Sequence, residues 1–89
     1  MNELIELGER IRRERIAIGV KQEDLARKAA VSSDVISALE NGRSINTRSL
    51  ARILRALGHN NALANLLPPA TISPIDLQKL AGKQRQRVR

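Results

Sequence analysis

Apolar residues return at helical spacing in successive short runs, each closed by glycine, a polar loop or proline. From Glu3 to about Ile18, Leu4, Leu7, Ile11 and Ile18 recur at such spacing, which predicts an amphipathic first helix. Gly8 leaves room in it for a close neighbour, and Gly19 ends it, with Val20 dropping back toward the core. Its charges interleave so that Glu6–Arg10 and Glu9–Arg13 fall at i, i+4, the pattern of a solvated face. A second helix is predicted from Lys21 or Gln22 to Ala29, with Leu25, Ala26 and Ala29 on one face and Glu23 and Asp24 suiting its N-terminal dipole. A third runs from Ser33 to Glu40, with Val35, Ile36 and Leu39 inward. Ser32 is a good cap for it, and Gly42 stands where a left-handed C-terminal residue is needed.

Helices two and three are separated only by a tight break at Ala29–Ser32, so Gln22–Arg43 reads as a helix-turn-helix unit. The rest of the chain serves to hold, pair and steer that unit. Thr47 is the expected cap of a fourth helix carrying Leu50, Ile53, Leu54 and Leu57, with Arg48, Arg52 and Arg55 on its surface. Ala62, Leu63, Leu66 and Leu67 suggest a short fifth helix over residues 61–67, stopped by Pro68 and Pro69. Ser73-Pro74-Ile75-Asp76 has the chemistry of a helix start, giving a short helix over 73–81 that Gly82 ends. The expected organisation is therefore a domain over residues 1–67 and an extension over 68–89.

Composition narrows what such an all-α chain does. At 89 residues it is one small domain with an appendage, for which pairing with a second copy is a natural aid. Without cysteine it has neither disulfides nor thiolate metal sites. No apolar run approaches a membrane span, and the acidic, amphipathic start is unlike a signal or transit peptide, so a cytoplasmic, nucleoid-associated protein is expected. Sixteen Lys and Arg against nine Asp and Glu give +7, favouring a polyanionic partner. The total lack of aromatic residues argues against stacking on single-stranded bases and so toward duplex DNA. In an extended tail, Lys83, Arg85, Arg87 and Arg89 would place their charges on one side. The single His59 reads as a plain loop residue. With no Gly-rich phosphate loop and no evident pair of acids, neither an enzyme nor a cofactor or metal site is expected.

One set of residues is more specific. Leu7-Gly8-x-x-Ile11, Arg15, Gly19-Val20-x-Gln22, Leu25-Ala26, Val35-Ile36-Ser37, Leu39-Glu40-Asn41-Gly42 and Leu54-x-x-Leu57-Gly58 occur in this order. Together they resemble the Cro/C1-type (XRE) helix-turn-helix regulators, which include lambdoid phage repressors and restriction-modification controller proteins. The resemblance implies a compact five-helix, lambda-repressor-like bundle, often dimeric, with its third helix in the major groove. It places Gln22 and Asn41 at phosphates on the two edges of the motif, though Gln22 also reads as an ordinary exposed residue and Asn41 as a capping one. Arg43 and Arg48 would meet the DNA backbone or minor groove, or stand solvated; Ser32 completes the backbone-contacting set. Arg15 and Glu40 would form a structural ion pair.

Base reading falls to the exposed face of helix three at Ser33, Asp34, Ser37 and Ala38. Asp34 suits a cytosine amino group and Ala38 a thymine methyl, although Asp34 also suits the helix N-terminus and would repel nearby phosphates. Members of the resembled family often carry Gln or Arg here. Leu63, Leu66 and Leu67 are the expected dimer seam, with intramolecular packing as the alternative. The function so implied is a sequence-specific regulator of transcription, a repressor on a palindromic operator. The alternative is an antitoxin: LANLLPP, the Ser-Pro helix start and the Arg-rich end look similar to HipB-like antitoxins, which repress an operon and neutralise a kinase-like toxin partner.

Overall fold

The computed structural model describes residues 2–67, which form four α-helices and no strand. These are α1 (Asn2–Ala17), α2 (Gln22–Ala29), α3 (Ser33–Glu40) and α4 (Thr47–Ala56). The helix predicted over 73–81 and the tail at Lys83, Arg85, Arg87 and Arg89 lie outside the described residues.

The inward faces read from apolar spacing meet in one core. Ile11 from α1, Leu25, Ala26 and Ala29 from α2, Ile36 and Leu39 from α3, and Ile53 and Ala56 from α4 are buried together. Val20 and Leu57 pack against this cluster from outside the helices. α3 lies against α1 and α2, and α2 also packs on α4, so the helix-turn-helix pair is gripped from both sides. Ile18 does not join the stripe of Leu7 and Ile11. It lies past the end of α1 and stays more than half exposed, as does Ile16.

Local chemistry sets most boundaries as expected. The Ser32 hydroxyl accepts from the Val35 N–H at 3.3 Å and starts α3. Lys21 offers no side-chain cap to α2; instead the Asp24 carboxylate accepts from the Lys21 backbone N–H at 3.4 Å. The fourth helix is capped by Asn46, not Thr47: Asn46 Oδ1 accepts from the Ser49 N–H at 2.8 Å. Both residues have the right chemistry, and only the backbone path selects the extended one, Asn46, with φ of −74° and ψ of 156°. The expected Glu6–Arg10 and Glu9–Arg13 pairs are absent from the ion pairs among the described residues. These side chains are exposed, where Coulomb attraction barely offsets the entropy of holding two long side chains in place.

The fifth helix is not formed. Residues 60–65 make successive turns and 66–67 a bend, with Ala62 N–H donating to His59 O at 3.3 Å, Asn65 to Asn61 at 2.9 Å and Leu66 to Leu63 at 3.2 Å. A run this short does not recover the cost of helix nucleation by itself. Pro68 and Pro69, lacking N–H groups, offer no donors to continue it.

Two positions reverse the usual preferences of alanine and glycine. Gly8 lies in the interior of α1, where a Cβ would collide with the Leu39 carbonyl oxygen and lie 2.9 Å from that of Glu40. Ala30, at the end of α2, has φ of 59°, the left-handed region that costs a Cβ-bearing residue about 1–2 kcal/mol. Gly8→Ala should therefore destabilise the fold by about 1–3 kcal/mol despite its better helix propensity. Ala30→Gly should stabilise it by about 0.5–1 kcal/mol. Urea unfolding followed by circular dichroism measures both, and opposite signs are the expected result.

Candidate nucleic-acid interface

α3 buries Ile36, Leu39 and Glu40 and turns its other side outward. Ser33 and Asp34 are exposed and Ser37 and Ala38 half-buried, so all four predicted base-reading residues share one accessible surface. It is a surface of short side chains. Such a face brings backbone close to whatever it meets, and its one formal charge is negative.

The C-terminal end of α3 is held by a buried carboxylate. Glu40 Oε2 accepts from Arg15 Nε at 2.6 Å, and Oε1 accepts from Arg15 Nη2 at 3.1 Å and Gln22 Nε2 at 3.0 Å. Arg15 Nη1 donates in turn to the Val20 carbonyl at 2.8 Å, tying the exit of α1 into the same network. The two side chains retain only 12% and 3% of their exposure, so neither charge is solvated in place of its partner. The hydrogen bond to Glu40 raises the Arg15 pKa above its ordinary value, burial opposes that shift, and the Glu40 charge adds to it. A raised arginine pKa means that the stabilising term is fully present below the ordinary arginine pKa and fades only above it. The arginine thus stays charged at all pH values where such a domain is handled. The ion pair implied by the family resemblance is present, with Gln22 as a third member.

That membership changes the expected grip. The Gln22 amide donates one hydrogen to Glu40, leaving its second N–H and its oxygen for other partners. Asn41 folds back on α3, with Nδ2 donating to the Ser37 carbonyl at 2.8 Å and lying 3.3 Å from the Ser37 hydroxyl. Reaching a phosphate would require Asn41 to give up those bonds. Ser32 is exposed, with its hydroxyl used as the cap. Arg43, just past Gly42, and Arg48, in the first turn of α4, are both exposed.

Two open clefts connect these residues. One of about 380 Å³ is lined by Arg15, Lys21, Gln22, Glu23 and Ser33, joining the start of α2 to the start of α3. The other, about 250 Å³ and polar, is lined by Arg12, Arg15, Gln22, Glu40 and Asn41. Gln22 and Asn41 are therefore brought to a common cleft, with Ser33 beside Gln22. Arg43 and Arg48 line neither. Arg12 is the residue that sequence reasoning passed over as part of a solvated face. The available signal was that Gly8, Arg12 and Arg15 lie at i, i+4 and i+7, so the residue between a packing glycine and a structural arginine shares their face.

The dimer-seam candidates divide. Leu63 is half-buried, whereas Leu66 and Leu67 are 69% and 82% exposed. His59, expected as a plain loop residue, lies within hydrogen-bond distance of the Glu14 carboxylate and links the end of α4 to α1. Among the described residues no cluster of three or more His, Asp or Glu could hold a metal ion, and no helix is long and apolar enough to cross a membrane.

Compared with known protein families, residues 6–67 match one described as a helix-turn-helix domain. No curated protein and no solved structure matches the chain.

Removing one partner of the buried pair should cost more than removing both. Arg15→Ala strands the Glu40 carboxylate and should destabilise the domain by about 3 kcal/mol or more. The Arg15→Met, Glu40→Leu double variant should lose clearly less. Chemical denaturation of the two proteins decides the order.

Proposed function

We infer a regulator that binds double-stranded DNA, because the chain belongs to the helix-turn-helix domain family. In the finer reading it is a transcriptional repressor of the XRE kind, acting as a homodimer on a palindromic operator. Nothing in this role calls for catalysis. The observation that carries it is the outward face of α3, with Ser33, Asp34, Ser37 and Ala38 accessible and Gln22 and Asn41 at its margins. A major groove admits a helix, and short side chains let that helix approach the base edges closely. Arg43, three residues past the end of α3, and Arg48, in the first turn of α4, are exposed and would supply backbone attraction.

For the dimer, the supporting observation is that Leu66 and Leu67 are large apolar side chains left open to solvent at the end of the domain. A symmetric pair would read half-sites one helical turn apart, about 34–36 Å. The antitoxin reading draws on the same exposed leucines followed by Pro68-Pro69 and a basic extension. Copurification with the product of a neighbouring gene would favour it.

Selection from a random duplex pool, followed by gel shifts between 50 and 200 mM salt, tests the main reading. The expected outcome is a twofold-symmetric site bound with steep salt dependence; no salt-sensitive preference for any duplex sequence would sink it. Arg43→Ala or Arg48→Ala should each weaken binding to all sequences and reduce the log–log salt slope by about 0.9. Asp34→Ala should instead change the preferred base at one position per half-site. Leu67→Asp should shift sedimentation toward monomer and weaken the operator complex.

A further inference from the structure

We propose that Arg12 on α1 is the charge that seats a DNA backbone phosphate in the cleft it forms with Gln22 and Asn41. This rests on the duplex-binding reading above and adds to the interface a residue from outside the helix-turn-helix unit.

What singles out Arg12 is that its donors are uncommitted. Five side chains line the cleft, and three carry charge: Arg12, Arg15 and Glu40. Arg15 and Glu40 neutralise one another, and Arg15 spends Nε, Nη1 and Nη2 on Glu40 and the Val20 carbonyl. Gln22 gives one N–H to the same carboxylate, and the Asn41 amide faces Ser37. Arg12 pairs with no carboxylate among the described residues and is exposed. The cleft therefore carries a net positive charge that belongs to Arg12, whose planar fork matches phosphate oxygens.

The arrangement also explains why an anion is the fitting occupant. Glu40 is only slightly exposed, but it sits in the wall of the cleft and would repel a phosphate if nothing offset it. Arg15 offsets it internally. Arg12 then supplies attraction, while the free N–H of Gln22 provides orientation. Position along α1 adds a geometric reason. Gly8 seats α1 against the Leu39 and Glu40 carbonyls, so the cationic side chain one turn later is held beside the end of α3. A phosphate held here would fix the depth and register of α3 in the groove without reading sequence.

Salt titration of binding to a mixed-sequence 30-base-pair duplex, by fluorescence anisotropy of the full chain, tests this without knowledge of the operator. Arg12→Ala should reduce the log–log slope by about 0.9, so that its affinity deficit shrinks about threefold between 50 and 200 mM salt. Arg12→Lys should keep most of the wild-type slope. Arg10→Ala removes an equal charge from α1 at a residue that lines neither described cleft, and should change the slope much less. Unchanged unfolding midpoints establish that the variants fold. An Arg12→Ala slope equal to wild type, or an Arg10→Ala loss equal to that of Arg12→Ala, overturns the proposal while leaving duplex binding intact. No wild-type binding to the duplex overturns both.

Discussion

Everything in the candidate interface depends on one buried carboxylate. Glu40 ends α3 nearly out of solvent, and a charge in that position is tolerated only if it is fully paired. Arg15 provides the pair from α1, Gln22 adds a hydrogen bond from the start of α2, and the Val20 carbonyl orients the guanidinium. One ionic centre thus fixes three helices relative to each other at the edge where DNA would lie. Apolar packing alone is weakly directional. The ion pair, with its bond directions, gives α3 a defined tilt. Gly8 and Gly42 complete the fit by letting α1 come into backbone contact: the first meets the α3 carbonyls, and a Cβ on the second would lie 2.8 Å from the Ile5 side chain.

A consequence is that the amides nearest the motif's edges serve the fold first. Gln22 belongs to the Glu40 network and Asn41 to the end of α3. Their remaining hydrogen-bonding capacity is directional but uncharged. In the proposed reading, attraction to a polyanion comes from residues that the fold has left free: the exposed arginines at the cleft and past α3. This separates positioning from attraction. It also suits an outward face of α3 whose side chains are short and whose one formal charge, Asp34, is negative.

Much of this was legible from residue order. The periodicity of Leu7, Ile11, Leu25, Ile36, Leu39 and Ile53 marked the core, and Ser32 and Gly42 marked the ends of α3. The differences between expectation and structure share a cause. Ile18 and residues 61–67 have helical apolar spacing, yet spacing reports a possible face and not whether any neighbour covers it. Thr47 and Asn46 are both competent caps, and backbone direction chose between them. The surface pairs on α1 were allowed by sequence separation but have no burial to hold them.

The sequence by itself determined the order of the first four helices, the turn between α2 and α3, and the set of residues facing outward on α3. Those follow from local rules, because capping, propensity and apolar period act over a few neighbouring positions. The family resemblance anticipated the Arg15–Glu40 pair, but only the tertiary structure decided that Gln22 joins it and that Arg12 is left without a carboxylate among the described residues. Arg12 and Arg15 stand one turn apart on the same helix and are chemically identical. Across the cleft, however, Arg15 meets a buried carboxylate 25 residues away, while Arg12 meets none. Whether a side chain is support or grip depends on its partner in space, and residues so far apart in the chain carry no local record of that pairing.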